Sequence, residues 1–534
     1  MTPMSRHRSR AAPGAASILA IALTGCTGGD GKTGASVELT EYASRPDLTA
    51  PPVEGEPLDL SVDGAEQYFF IGPKSRETDI WSGRLIVDSS GEPVWIEEDA
   101  ETNGNTAGWD LRVQQHKGEN VLTWWEGFVD TPLADEGEVV IVDDTYEEIA
   151  RVGTGADLPH RKVDLHETTL TEDGTVLLMS YVPKQADLTS FGGDADGWVW
   201  DGVVQEIDIE TGEVVFDWSS LDHIPVTASQ RKFEDGMGTE DKPFDYFHGN
   251  SVSVDEDGSL LVNARNTHAF YNLDRETGEV NWTAGGPESD FELGDGVYFA
   301  WQHDVERQAD GSITMFDNQS SPTLGDSSRG LRLDVDTEEM TIEIVKEYLP
   351  PVDRIAANQG SFQELADGSV VMGWGALPSW TLYDSEGDVL GDWTVAADSN
   401  YRAYLHEWTA TPTAPPAAVA QTEDDTTSVY VSWNGSTEVD SWRVLAGPGS
   451  STLAEVATSK RTGFETAIEL PEAASRSDDE DEDEDASAAP AQSFEHIVVE
   501  ALNAYGERLS SAVVDTDDMK RPAAPARLRE TALG

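Results

Sequence analysis

A short unit recurs six times between residues 87 and 393, and it constrains the fold more than any other feature of the chain. Each copy is an apolar strand, a turn built from Asp, Thr or Ser, Gly and Glu, then a second strand that often ends in tryptophan. The copies read "VDSSGEPVW" (87–95), "VDDTYEEIARV" (142–152), "IDIETGEVVFDW" (207–218), "LDRETGEVNW" (273–282), "LDVDTEEMTIEIV" (333–345) and "YDSEGDVLGDW" (383–393). A spacing of roughly 50 to 65 residues predicts a propeller of four-stranded blades. Two β-sandwiches would produce some of these hairpins but not so regular a series. No helical period persists from residue 65 to 410, so the expected fold is all-β, a six-bladed β-propeller followed by a small β-sandwich domain.

A second hairpin series interleaves with the first, with turns at Gly118, Gly174, Gly258, Gly311 and Gly368. Eight residues before these glycines stand Asp110, His166, Asn250, His303 and Gly360; seven after them stand Trp125, Tyr181, Arg265, Asn318 and Gly375. Positions nearly equidistant from a turn lie side by side at the open end of an antiparallel hairpin. Blades set around an axis would therefore converge these residues on one mouth of the central channel.

Composition narrows the partners. Thirty-four basic residues against 102 acidic ones give a formal charge of −68, which argues against nucleic acid and anionic lipid surfaces. At the N-terminus, Arg6, Arg8 and Arg10 precede the apolar run "AASILAIALTG" and the sole cysteine, Cys26. Residues 1–25 have the layout of a secretory signal, too short to span a bilayer stably. "LTGC" resembles the lipobox of bacterial lipoproteins, which implies lipidation at Cys26 and a chain tethered outside the cytoplasmic membrane, at the cell surface, with 26–64 as anchor and linker. The propeller is expected over 65–412. A fibronectin type III or Ig-like sandwich is expected over 413–516, interrupted by the acidic run 477–492 and followed by a tail, 517–534.

Two chemistries suit the convergent cluster of His166, His248, His303, Arg265 and Asn250. Imidazoles from successive blades could ligate iron or zinc, as in the four-histidine iron site of carotenoid oxygenases, although the fixed charge of Arg265 repels a cation. Alternatively Arg265 presents its planar donors to a tetrahedral anion, with histidines and the Asn250 amide completing the hydrogen bonds. A non-catalytic, ligand-binding surface propeller is a third possibility, with the sandwich as spacer or adhesion unit.

The segments "DLHE" (164–167), "DYFHGNSV" (245–252), "LVNARNTHAFYNLDRETGEVNW" (261–282), "AWQHD" (300–304), "FDNQ" (316–319), "RGLRLDVD" (329–336) and "NYRAYLHEW" (400–408) resemble, in order, motifs of the arylsulfotransferase family. The resemblance spans roughly residues 65 to 412 and is specific as an ordered set. It implies a six-bladed propeller that transfers a sulfuryl group from a phenolic sulfate ester to an acceptor phenol. It implies no cofactor, no metal and no nucleotide sulfate donor, and the chain has no phosphate-cradling Gly-rich loop. Carried over by position, His303 of "WQHD" matches the nucleophile that holds the group as a sulfohistidine, giving ping-pong kinetics. His248 of "FHGN" would serve as acid and base, while Arg265, Asn250 and His166 bind the sulfuryl oxygens.

Other positions are less tied to the resemblance. Ser361, beside Gly360, is a candidate for the remaining polar sulfate contact. Trp125, Tyr181, Phe247, Trp301 and Trp374 are candidate walls of an aryl pocket. Asp304 either orients His303 or caps a turn. His406 has no counterpart among the family's catalytic residues and reads as structural; His116, His160, His223, His268 and His496 read as structural or surface residues.

Overall fold

The computed structural model describes residues 38–514, except 63, 76–80, 100–105, 130–132, 134–135, 321, 424–425 and 472–494. Cys26, the signal segment, the run 477–492 and the tail lie outside the described residues. Among the described residues, no helix is long and apolar enough to cross a membrane.

Six four-stranded antiparallel blades form the propeller, with Glu292–Leu293 added in parallel to the outer edge of blade 4, and in blades 1 to 5 the chain runs from the innermost strand outward. Blade 1 is Thr106–His116, Glu119–Phe128, Glu136–Val142 and Glu148–Val152, and blade 2 is Thr168–Leu170, Thr175–Ala186, Gly197–Asp208 and Val214–Ser219. Blade 3 is Gly249–Val254, Leu260–Ala264, Ala269–Leu273 and Val280–Gly285; blade 4 is His303–Arg307, Ile313–Asp317, Arg329–Asp336 and Thr341–Tyr348. Blade 5 is Ser361–Glu364, Val370–Gly373, Ser379–Tyr383 and Val389–Val395. Blade 6 takes its inner strand, Ser399–Glu407, from the far end of the propeller sequence and its other three, Gln67–Lys74, Gly83–Val87 and Pro93–Glu98, from the start. Inner strands of successive blades touch in a closed cycle. The closure also explains why the sequence shows six outer hairpins but five inner ones. The sixth inner pair is Ser399–Glu407 against Gln67–Lys74, two strands with no turn between them.

The outer turns owe their shape to their aspartates. Asp208 Oδ1 accepts from the Glu210 and Thr211 backbone N–H groups and from the Thr211 hydroxyl, and Asp274 repeats the pattern with Glu276 and Thr277. Gly212 and Gly278 follow at φ 72° and 74°, the left-handed region where a Cβ is disfavoured. Three of the four tryptophans that end a unit reach the turn of the next blade. Trp218 Nε1 donates to Gly278 O at 3.0 Å and Trp393 Nε1 to Ser89 O at 2.9 Å, while Trp95 stacks on Tyr146 at 5.3 Å. The unit is thus at once a turn and a joint between blades.

Residues 38–54, expected to be linker, are built into the fold instead. Val53–Glu54 adds a fifth strand to blade 5, and Tyr42, Leu48 and Ala50 are buried in the core between blades 5 and 6. Seven further strands form two sheets, Ala417–Glu423, Thr426–Ser432 and Glu465–Glu469 in one, and Ala454–Lys460, Ser441–Gly447, His496–Leu502 and Arg508–Val514 in the other. They pack face to face over Trp433, Trp442, Val444 and Val499. This sandwich is joined to the propeller rather than hung from it. The Asn434 amide exchanges hydrogen bonds with Ile96 N and O at 2.8 and 2.9 Å, and Glu465 accepts from the Ala43 and Ser44 N–H groups.

Phe69, fully buried in the closing blade, lies 4.7 Å from the Trp393 ring and 5.5 Å from the Trp380 ring. Phe69→Ala is expected to cost about 3–5 kcal/mol of stability, read from denaturant unfolding, because it empties the seam between blades 5 and 6.

Candidate functional site

The inner hairpins deliver the site. His303 opens the inner strand of blade 4, and Asn318 directly follows the second strand of that hairpin. His248 and Arg265 stand at the equivalent places of blade 3, on either side of the Gly249–Ala264 pair. His166 precedes the inner strand of blade 2 by two residues. The structure therefore brings His166, His248, His303 and Arg265 together at one mouth. The His166 and His248 rings lie 5.1 Å apart, edge to face, and the Tyr181 ring lies 6.2 Å from His248.

Each imidazole has its Nδ1 held. Asp164 Oδ1 lies 2.5 Å from Nδ1 of His166, Asp245 Oδ2 2.7 Å from Nδ1 of His248, and Asn318 Oδ1 2.7 Å from Nδ1 of His303. The Gln359 backbone N–H donates to His303 Nε2 at 3.1 Å, so that nitrogen carries a lone pair. Burial, reinforced by the charge of Arg265, depresses His303 well below the ordinary histidine range and keeps the ring neutral. Burial also lowers His248, against the pull of Asp245. For Asp245 itself burial is outweighed by His248, Arg231 and Arg265, which together hold its carboxyl below the usual value.

Arg265 is buried, its guanidinium 5.0 Å from the Trp301 ring centroid, and its Nε has no hydrogen-bond partner. Buried arginines elsewhere in the propeller have a carboxylate, as Arg112 and Arg402 have Glu167. Among the described residues none lies within ion-pair distance of Arg265. Burial pushes its pKa down to about 10, against the weaker pull of Asp245, which lies beyond ion-pair distance. A buried guanidinium among three imidazoles is a seat for an anion. Among the described residues, no group of three or more His, Cys, Asp or Glu side chains is arranged to hold a metal ion.

Other positions expected at the site do different work. Asn250 is fully buried, but its Nδ2 donates to Gln302 O at 2.9 Å and its Oδ1 accepts from Asn263, so it braces the segment leading to His303. Ser361 Oγ exchanges hydrogen bonds with Ala403 N and O at 3.1 Å and ties blade 5 to the closing strand. Trp125 donates to Val163 O and Trp374 to Thr381 Oγ1, both wholly buried between sheets; Phe247 is core as well. Tyr181 donates through its hydroxyl to Gly249 O beside His248. Trp301 does border the site, between Arg265 and His268. His268 is structural, buried edge-on to Trp301 at 4.2 Å. Asp304 neither orients His303 nor caps a turn; its Oδ2 accepts from Phe362 N–H at 2.7 Å, joining blades 4 and 5. His406 packs against Phe70 and Tyr404 and lines a recess of about 400 Å³ at the opposite end of the channel, where burial and the charge of Arg112 hold it down to about 3.

Several site residues give little or no signal in the sequence. Asp164 and Asp245 stand two and three residues before their histidines, in "DLHE" and "DYFHGN". Asn318 shares the register of the mouth positions, but register alone assigns it no role. Arg402 gives no signal, because the sixth inner hairpin is split between the two ends of the propeller sequence. Beneath the site Arg402 binds Glu167 at 3.1 and 3.3 Å, Asp110 at 3.2 Å, the Tyr404 hydroxyl at 3.1 Å and Asn250 O at 3.3 Å, with Asp304 Oδ1 at 3.6 Å.

A propeller mouth that sets a guanidinium with no ion-pair partner, its Nη1 donating only to the Asn266 side chain at 2.9 Å, among three imidazoles is suited to an anionic group. The family model of arylsulfotransferases (ASST) matches residues 112–395, and the chain belongs to the arylsulfotransferase family. Its activity is aryl sulfotransfer, with phenolic substrates. No curated protein sequence matches the chain. Similar solved structures include a protein of unknown function from Bacteroides caccae (11% identity, 64% of this chain and 99% of that chain, TM-score 0.38). They also include a streptogramin B lyase (12%, 71% and 94%, 0.32) and a protein from Lactobacillus plantarum (13%, 76% and 100%, 0.34).

Below the site, burial and the neighbouring Asp304 push Glu306 up to about 7, and burial pushes Asp304 up to about 6. A carboxyl raised on folding stabilises the fold while protonated, and that contribution is lost as pH rises through its folded pKa. Glu306→Gln is therefore expected to raise the melting temperature at pH 8, by on the order of 1–3 kcal/mol in stability, and to change it little at pH 5.

Proposed function

We infer that the protein transfers a sulfuryl group from a phenolic sulfate ester to an acceptor phenol through a covalent intermediate on His303, with no nucleotide sulfate donor. The observation that carries this reading is the pairing of a neutral, lone-pair-bearing imidazole, His303, with Arg265, a buried guanidinium whose Nε has no hydrogen-bond partner. The donor's sulfate oxygens sit against Arg265, which gains a counter-charge, and against His166. The His303 Nε2 lone pair forms the N–S bond as the ester S–O bond breaks in line. The departing phenolate takes a proton from His248. Asp245 supports that proton, and the negative charge of an arriving sulfate ester draws it onto the ring. In the return step the acceptor phenol gives its proton to His248, its oxygen bonds to sulfur, and the N–S electron pair returns to Nε2.

Splitting the transfer lets one pocket serve donor and acceptor in turn, which gives ping-pong kinetics. Asn250 and Ser361 contribute by bracing the walls, and Tyr181 borders the mouth, where an aryl ring would lie. Extending the "LTGC" reading, the mature chain is anchored through a lipid on Cys26 at the outer face of the cytoplasmic membrane and meets its phenolic substrates there. The four-histidine iron alternative has less support, since Arg265 stands among the would-be ligands.

The test is a chromogenic aryl sulfate with and without a phenol acceptor. Acceptor-stimulated phenol release with parallel double-reciprocal lines is expected. His303→Ala should lose about 10³-fold or more in kcat, and Arg265→Lys about 10²-fold in kcat/KM. Unchanged activity in His303→Ala would remove the nucleophile, and release indifferent to acceptor would indicate hydrolysis instead.

A further inference from the structure

The three imidazoles are held at the same ring nitrogen, but by different chemistry. His166 and His248 each face a carboxylate, whereas His303 faces the amide of Asn318. A carboxylate stabilises an imidazolium; an amide oxygen accepts the ring N–H but offers no charge to a proton arriving at the other nitrogen. The amide cannot be turned around. Asn318 Nδ2 donates to Ala356 O at 3.1 Å and to Gln359 O at 2.9 Å, and two carbonyls can only accept, so Oδ1 must be the atom that faces His303. Nδ1 of His303 therefore carries the proton.

The same short segment closes the arrangement from the other side. Gln359, at φ 65°, accepts from Asn318 through its carbonyl and donates to His303 Nε2 through its N–H. Gly360 follows at φ 116°, where a Cβ would collide with the Phe316 ring. Asn318 and the 356–360 segment thus form one amide cradle around the ring. The Gln359 N–H marks the line along which sulfur must approach, and that hydrogen bond is released when the N–S bond forms.

We propose that Asn318 is the positioning residue that separates nucleophile from acid–base among the three histidines, by fixing His303 in the Nδ1–H tautomer and withholding the carboxylate that would make it a proton carrier. The proposal rests on the sulfuryl-transfer reading. Among the described residues, the charged and titratable groups that act most strongly on His303 are Arg265, His166 and His248, all of which disfavour its protonation, and the carboxylates of the mouth, Asp164 and Asp245, are bound to His166 and His248 instead.

The experiment uses the full chain labelled with ¹⁵N-histidine, with His303→Ala assigning the resonance. At pH 7 the wild type is expected to show His303 protonated on Nδ1 and bare on Nε2. In Asn318→Asp the ring should become an imidazolium at pH 7. The acid limb of kcat/KM against pH should then move up by at least one unit, with activity recovered on the alkaline side. In Asn318→Leu the tautomers should mix and kcat should fall on the order of 10²–10⁴-fold with KM little changed and no shift of the limb. An active wild type protonated on Nε2, or an Asn318→Asp protein with the wild-type pH profile, would overturn the proposal. An inert wild type whose His303 carries its proton on Nδ1 would sink the sulfuryl-transfer reading while supporting the tautomer assignment. The wild-type spectrum stands as a test even if a variant does not fold.

Discussion

The buried guanidinium of Arg402 is the interaction on which the rest of the molecule turns. It lies in the closing strand of blade 6 and reaches Asp110 of blade 1, Glu167 next to blade 2, the Asn250 carbonyl of blade 3 and the Asp304 carboxylate of blade 4. A charge so deep in the protein costs several kcal/mol to desolvate unless its partners are well placed. Here the partners come from four other blades, so the ring is correctly closed only when they converge. Three of them are also sequence neighbours of the imidazoles: Glu167 follows His166, Asn250 lies two after His248, and Asp304 follows His303. Closing the ring and placing the three histidines are therefore a single event.

The site is assembled against local backbone preference. His248, Trp301, Asp304, Gln319 and Gln359 all take left-handed φ values although none is glycine. Such residues persist only where surrounding contacts over-determine them. The interlocking side-chain amides Asn250, Asn263 and Gln302, with the Asn318 cradle, provide those contacts in a fully buried setting. With the scaffold rigid, chemistry is set by what stands behind each ring. Carboxylates stand behind His166 and His248 and an amide behind the more deeply buried His303, and an arginine with no ion-pair partner completes the demand for an anion.

Much of this is legible in the sequence because the propeller writes its period into its turns. The Asp-Thr-Gly-Glu hairpins mark the outer strands, and counting from the inner glycines puts His166, His303 and Arg265 at one mouth. Counting fails where residue type and register do not determine direction. Asn250 and Ser361 sit at mouth positions, yet their polar groups turn into the wall to satisfy buried backbone, a demand that no spacing displays. Trp125 and Trp374 are candidates for an aryl wall by position, but in a propeller a large indole is worth most between sheets. Asp164, Asp245 and Asn318 become visible only once their partners are in place. Arg402 stays hidden because its hairpin has no turn.

That missing turn shapes how the chain must fold. Ser399–Glu407 is the last strand of the propeller to be synthesised, and Gln67–Lys74 among the first, so the pairing that joins them spans nearly the whole ring. Until residue 407 is available the first three strands of blade 6 have an open inner edge, and Glu167, Asp110 and Asp304 have no Arg402. Ring closure of such long range is slow, and unpaired edges invite the wrong partners. The molecule is thus a zipper whose slider is also the counter-charge of its catalytic floor, and a nascent chain holds no preformed site until its last blade is finished.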